Sequence, residues 1–180
     1  VSVIIPTYNR KDMLRDTLIS LAQQTYPIDY FEVIVIDDGS ADGTQEIVGE
    51  AFPFTLRYFQ QSNQGATAAR NLGAWQSRAD ILVFLDDDVL VEPGYLTYLI
   101  REHAMSQNGI VVGTINIQCD EVTPFSQILD TSLASSQNSV DLTFTDVYSN
   151  NMSIRRKAYF EVGMFHDLGF LSSSSWCDVD

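Results

Sequence analysis

Three consecutive carboxylates, Asp86-Asp87-Asp88, follow directly on five apolar residues, Ile81-Leu82-Val83-Phe84-Leu85. An apolar run that short and that uniform predicts a strand buried on both faces, the pattern of a parallel sheet. In open α/β sheets ligands bind just beyond the carboxyl ends of the strands. Three adjacent negative charges there repel one another, so a cation is expected among them. Mn²⁺ or Mg²⁺ meets that need, because hard divalent ions take oxygen ligands and bridge to phosphates. A solvated acidic turn is the plainer alternative.

Two more polar clusters sit at comparable places. Pro6-Thr7-Tyr8-Asn9 follows the apolar start of the chain, and Asp37-Asp38 follows Phe31 to Ile36. If all three apolar runs are parallel strands, their ends share one edge of the sheet and line one crevice. Turn chemistry alone has no reason to put carboxylate pairs after successive buried strands.

The elements that must position these groups can be read in order. Val1 to Ile5 predicts a strand stopped by Pro6, which cannot continue a ladder. Asn9 or Asp12 is then expected to cap a helix whose Leu14, Leu18 and Leu21 face the sheet, ending near Gln24. A strand over Phe31–Ile36, a short helix carrying Ile47 and Val48, and a strand over Leu56–Phe59 follow. Asn63 to Asn71 opens another helix, and after Ile81–Leu85 a helix from about Pro93 to Ser106 presents Leu96, Leu99, Ile100 and His103. Ile110 to Ile117 reads as a further strand, Cys119 to Phe144 as irregular, and Lys157 to Val162 as a helical turn. Alternating strands and helices at this spacing predict βαβ units, a mostly parallel central sheet and helices on both faces. No internal repeat or convincing boundary divides the chain.

Composition narrows the partners. At 180 residues and 45% hydrophobic content the chain can bury one proper core. A formal charge of -14 repels polyanions, so nucleic acid is not an expected partner. A phosphorylated small ligand would need local neutralisation, which an Asp-held metal supplies. Neither a Gly-x-x-x-x-Gly-Lys loop nor a Gly-x-Gly-x-x-Gly turn is present, so the usual phosphate cradles are missing. Asp38 is of a type to accept hydrogen bonds from a base N–H or a ribose hydroxyl. Cys119 and Cys177 form no disulfide framework and suit a reducing cytosol. No apolar run approaches the ~20 residues that span a bilayer. The abrupt start at Val1 and stop at Asp180 suggest a truncated or excised piece of a longer protein.

Seven segments in order resemble glycosyltransferase family 2, whose members are inverting enzymes of the GT-A fold. They are Val3-Ile-Ile-Pro-Thr-Tyr-Asn-Arg10, Val35-Ile-Asp-Asp-Gly-Ser40, Asn63-x-Gly65-x-x-x-Ala69-Arg70-Asn71, Phe84-Leu-Asp-Asp-Asp88, Asn151-Met-Ser-Ile-Arg-Arg156, Gly163-x-Phe165 and Trp176-x-Asp-x-Asp180. The resemblance covers nearly the whole chain and implies one GT-A catalytic domain over 1-180. Its nucleotide-binding part would be about 1-108 and its acceptor-side part about 109-180. It implies transfer of a sugar from a nucleotide diphosphate, UDP above others, to a hydroxyl of a saccharide or lipid-linked acceptor. The implied location is cytoplasmic, with association of a full-length protein at the inner membrane face left open, as is the oligomeric state.

By the same resemblance Pro6 and Tyr8 line the base pocket and Asp38 reads the base or ribose. Gly65 and Arg70 shape the nucleotide side. Asp86-Asp87-Asp88 stands for the D-x-D motif: Asp88 on the metal, Asp86 toward the ribose and next as metal ligand, Asp87 toward the sugar. The catalytic base falls to Asp178, with Asp180 second, and Cys177 takes the place of the family's usual acid.

Other readings weigh against each of these. Asp37 can simply hold the Gly39-Ser40 turn. Asn71 can serve its own helix, and Arg155 and Arg156 can face solvent or a phosphate. His103 reads as packed, His166 as a weak candidate for metal or acceptor contact, and Trp176 as core or a sugar-stacking ring. Two rival functions remain: a nucleotide-sugar-binding module without transferase activity, marked by Cys177, and an acidic phospho-acceptor domain of the receiver type. The latter fits poorly, since Pro6-Thr7 stands where its acidic pair should follow the first strand.

Overall fold

The computed structural model describes residues 1–105, 109–113 and 151–166. Within them lie six strands: β1 Ser2–Thr7, β2 Glu32–Asp37, β3 Thr55–Gln60, β4 Ile81–Leu85, β5 Val111–Val112 and β6 Asn151–Arg155. Four helices accompany them: α1 Lys11–Ala22, α2 Ala66–Gln76, α3 Tyr95–Met105 and α4 Arg156–Glu161. The strand order is β3-β2-β1-β4-β6-β5. β3, β2, β1 and β4 are parallel, whereas β6 runs antiparallel to both β4 and β5. The sheet is therefore mostly parallel, and the ends of β1, β2 and β4 do share one edge.

Side-chain alternation sends successive strand residues to opposite faces. Val3, Ile5, Val33, Val35, Val83 and Leu85 pack with Leu14, Leu18 and Leu21 of α1 and with Leu96 and Leu99 of α3. On the other face Ile4, Leu82 and Phe84 meet Ala74 of α2, Met152 and Ile154 of β6 and Tyr159 of α4. Burial on both faces explains the unbroken apolar runs of β1, β2 and β4.

Pro6 does not stop β1. It lies inside the strand, opposite Ile36 of β2. The Thr7 carbonyl accepts from Asp38 N on the β2 side, so the neighbouring Pro6 directs its missing donor toward β4. Pairing on that side ends at Ile4 and Phe84, and the ladder loses nothing. Neither Asn9 nor Asp12 caps α1: Arg10 is the capping residue, without a side-chain cap bond. Asp42, from the loop after β2, accepts from Lys11 N at 2.9 Å instead. The short helix after β2 is a 3-10 segment, Thr44–Gly49, that buries Ile47 and exposes Val48.

α2 sits closest to the sheet. A Cβ on Gly73 would stand 2.3 Å from Ile4 Cγ2, so only glycine lets the helix approach this far. The strand expected over Ile110–Ile117 is described only at Val111–Val112. The stretch from Cys119 to Phe144 and the whole of Trp176 to Asp180 lie outside the described residues.

Candidate active site

The edge formed by β1, β2 and β4 gathers the charged groups. Thr7, the last residue of β1, donates its hydroxyl to Asp87 Oδ2 at 2.7 Å. Thr17 of α1 donates to the Asp87 carbonyl at 2.8 Å. Asp87 thus ties β1, α1 and the end of β4 together, and its side chain is only 1% exposed. Burial pushes its carboxyl up to about 6, with Asp88 and Asp86 adding to the rise and the Thr7 hydroxyl and Arg10 opposing it. Expected toward the sugar, Asp87 turns inward in this structure.

The two flanking carboxylates face outward. Asp88 has a 48% exposed side chain and Asp86 a 28% exposed one, so Asp88 is the more open to an arriving ion. Each is paired with an arginine. Arg10 Nη1 lies 3.0 Å from Asp88 Oδ2 and 3.4 Å from Asp87 Oδ1. Arg70, from α2, donates to Asp86 Oδ1. Among the described residues, three carboxylates and two guanidiniums leave the cluster one net negative charge. Arg70 keeps one buried donor, Nε, without a partner among the described residues. A buried unsatisfied N–H is costly, which makes it a ready contact for an acceptor-rich ligand.

Asp38 is fully buried. Its carboxylate accepts from Gln61 Nε2 at 2.7 Å and from the backbone N of Gln64 and Gly65, each at 2.8 Å. It therefore shapes the turn into α2. Gly65 ends that turn with φ of 88°, which favours glycine, and leaves open space where a side chain would be. Asp37 does hold the next turn, accepting from Ser40 N at 2.7 Å and from the Tyr58 hydroxyl. Asn9 joins this loop to the β1 end: its backbone N donates to Ser40 Oγ at 2.8 Å and its side chain accepts from Ala41 N at 2.8 Å. Pro6 is buried within β1 and Tyr8 half-buried beside it.

Other candidates fall elsewhere. Arg155 ends β6 opposite Ile81, where β4 begins, and donates to the His103 carbonyl. Arg156 donates to Ser77 Oγ at 3.1 Å and lies over the Phe160 ring. Both stand at the far edge of the sheet from Asp86, and neither reaches the carboxylate cluster. His103 is packed, with Nε2 2.9 Å from Ser153 Oγ. Asn71 does more than serve its helix: its amide donates to the Phe165 carbonyl at 2.9 Å and accepts from Phe165 N at 3.2 Å and from the Tyr159 hydroxyl at 2.5 Å. Asp178 and Asp180 lie outside the described residues.

Thr7 and Arg10 hold positions in this site to which the sequence alone assigns no role. Their signal was present: a hydroxyl and a cation inside the polar cluster that ends β1. What was missing was the distance to Asp87, eighty positions away in sequence.

The oxygen-only donor set suits Mn²⁺ or Mg²⁺. Among the described residues no three acidic, histidine or cysteine side chains converge as a cage. A divalent ion would therefore take one or two carboxylates here, Asp88 first and Asp86 next, and fill its shell from ligand phosphates and water.

A family model for glycosyl transferase family 2 matches residues 2–163. Validoxylamine A glucosyltransferase of Streptomyces hygroscopicus subsp. jinggangensis is 44% identical over 108 residues, 58% of this chain and 25% of that protein. Glycosyltransferase AglE of Haloferax volcanii is 44% identical over 94 residues, 49% of this chain and 30% of that protein. Among solved structures, mannosyltransferase PcManGT from Pyrobaculum calidifontis, in complex with GDP-Man and Mn²⁺, superposes with a TM-score of 0.72 at 25% identity. That match covers 92% of this chain and 47% of the other. S. aureus TarS 1-349 with UDP-GlcNAc gives a TM-score of 0.75 at 23% identity, covering 92% and 48%, a likeness of fold. The chain spans less than half the length of each of these relatives.

Proposed function

The chain belongs to glycosyl transferase family 2, and from that premise we propose that it moves a sugar from a nucleotide diphosphate, UDP foremost, to an acceptor hydroxyl with inversion at the anomeric carbon. The observation that carries this reading is the carboxylate cluster at the end of β4, braced by Thr7, Arg10 and Arg70. The complexes of PcManGT with GDP-Man and Mn²⁺ and of TarS with UDP-GlcNAc support a nucleotide sugar as donor.

In this proposal Pro6 and Tyr8 flank the base. Asp38 acts through the Gln64–Gly65 backbone that it holds, and Arg70 meets the nucleotide with its Nε, which has no partner among the described residues. Asp88, with Asp86 beside it, holds Mn²⁺ or Mg²⁺, which when bound stabilises the departing diphosphate as a Lewis acid. Asp178 takes the proton of the acceptor hydroxyl, from within ~3 Å, as that oxygen bonds to the anomeric carbon and the bond to the diphosphate oxygen breaks. Asp180 is the second choice for that base. The acceptor is a saccharide or a lipid-linked one, the latter bringing the full-length protein to the cytoplasmic face of a membrane. Among the described residues no helix is long and apolar enough to cross one.

The test is thermal unfolding with UDP, UDP-glucose and GDP-mannose, each with and without Mn²⁺. We expect metal-dependent stabilisation by a UDP species and its loss in Asp88→Ala. Absence of any shift with every nucleotide diphosphate would overturn the proposal.

A further inference from the structure

We propose that Arg10 is a resident counter-ion which competes with a divalent cation for Asp88, so that metal and nucleotide diphosphate enter the site together. This rests on the donor-binding function proposed above. Arg10 stands at the start of α1, directly after the β1 end, with a 28% exposed side chain. Its Nη1 bridges Asp88 Oδ2 at 3.0 Å and Asp87 Oδ1 at 3.4 Å. Asp87 cannot turn outward without giving up the Thr7 hydroxyl. Asp88, half exposed, is the partner that can leave.

Charge decides the order of events. Among the described residues, Arg10 and Arg70 leave the three carboxylates one net negative charge. A bare divalent ion would turn that into one net positive charge and lie against the Arg10 guanidinium. A diphosphate arriving with the ion cancels the excess. It also gives Arg10 a new partner, since the planar guanidinium suits phosphate oxygens as well as carboxylates. The pair that must break is partly solvated and weak, so a nucleotide-borne ion can displace it. Coupling of this kind is reciprocal: the diphosphate raises the metal's affinity by the factor by which the metal raises that of the diphosphate.

The experiment is calorimetric titration of Mn²⁺ into the parent chain, Arg10→Gln and Arg10→Lys, each with and without UDP. Arg10→Gln should bind Mn²⁺ alone roughly fivefold more tightly than the parent, the scale of one exposed ion pair. The enhancement of Mn²⁺ affinity by UDP should shrink by a similar factor. Arg10→Lys keeps the charge and should follow the parent. Mn²⁺ binding to Arg10→Gln no tighter than to the parent, with UDP still bound by both, would overturn the competition and leave the donor-binding function standing. Failure of all three forms to bind UDP with Mn²⁺ would overturn both.

Discussion

At the scale of single residues the site is held by a few groups that reach across long sequence distances. Thr7 is the main support of the buried Asp87 carboxylate. Thr7→Val keeps the shape but leaves one carboxylate oxygen without its donor, a loss of about 1–3 kcal/mol for a buried acceptor. Urea unfolding midpoints at constant slope should register it, and a midpoint equal to the parent's would show that the hydroxyl is dispensable. In the proposed reaction the base acts on chemistry alone. Asp178→Asn should lower kcat by roughly 10²–10⁴, the range of general-base catalysis, while UDP and Mn²⁺ affinity stay as in the parent. If Asp180→Asn alone produces that loss, the roles are exchanged.

Packing between elements sets how closely the site's parts approach. Gly73 lets α2 lie against Ile4 and Ile36, and α2 brings Arg70 to Asp86. Gly73→Ala gains up to ~1 kcal/mol of helix propensity but drives a Cβ to 2.3 Å from the buried Ile4 Cγ2. Overpacking of that kind costs about 1–3 kcal/mol, so net destabilisation is expected in denaturant melts. Ile4→Ala costs about 2–5 kcal/mol by itself. In a double-mutant cycle, however, the cost of Gly73→Ala should be smaller in the Ile4→Ala background, where the clashing Cγ2 is gone.

The α3–β6 contact carries a pH dependence. Burial, and secondarily the Arg155 guanidinium, lower the pKa of His103 from its ordinary 6.5. The unfolded chain then binds the proton at a higher pH than the folded one, so the stability that His103 contributes is full above 6.5 and falls as pH drops below it. Between pH 7 and pH 5.5 this contribution should decline, while Asp87, whose carboxyl is raised to about 6 in the folded chain, contributes in the opposite sense. Relative to the parent, His103→Gln should lose the declining part of the profile. An unchanged slope would assign it to other groups.

For the whole molecule, ligand linkage joins donor binding to stability. A ligand that binds only the folded state at a hundred times its Kd adds about 2.7 kcal/mol. UDP with Mn²⁺ should raise Tm accordingly, and in Asp88→Ala the metal-dependent part should vanish while a smaller shift from nucleotide contacts remains. The charge of -14 fits this division of labour. A strongly acidic protein keeps polyanions away, and on the proposed function would admit one diphosphate where arginines and a metal ion balance it.

Much of this was present in the chain itself. The apolar runs of β1, β2 and β4 are uniform because both faces of those strands are buried, and that local rule makes a parallel sheet and its ligand edge readable from sequence. The carboxylates at their ends were equally visible, since they follow each run without a gap. The fate of Pro6 was hidden, because whether a proline breaks a ladder depends on which neighbour its missing donor faces. Asn71 gripping Phe165, and Arg10 standing between Asp87 and Asp88, are pairings across more than seventy positions. Nothing local encodes such pairings. Residue type declares what a carboxylate or a guanidinium can do, but only the packing of β1, α1 and β4 decides which cation each carboxylate meets.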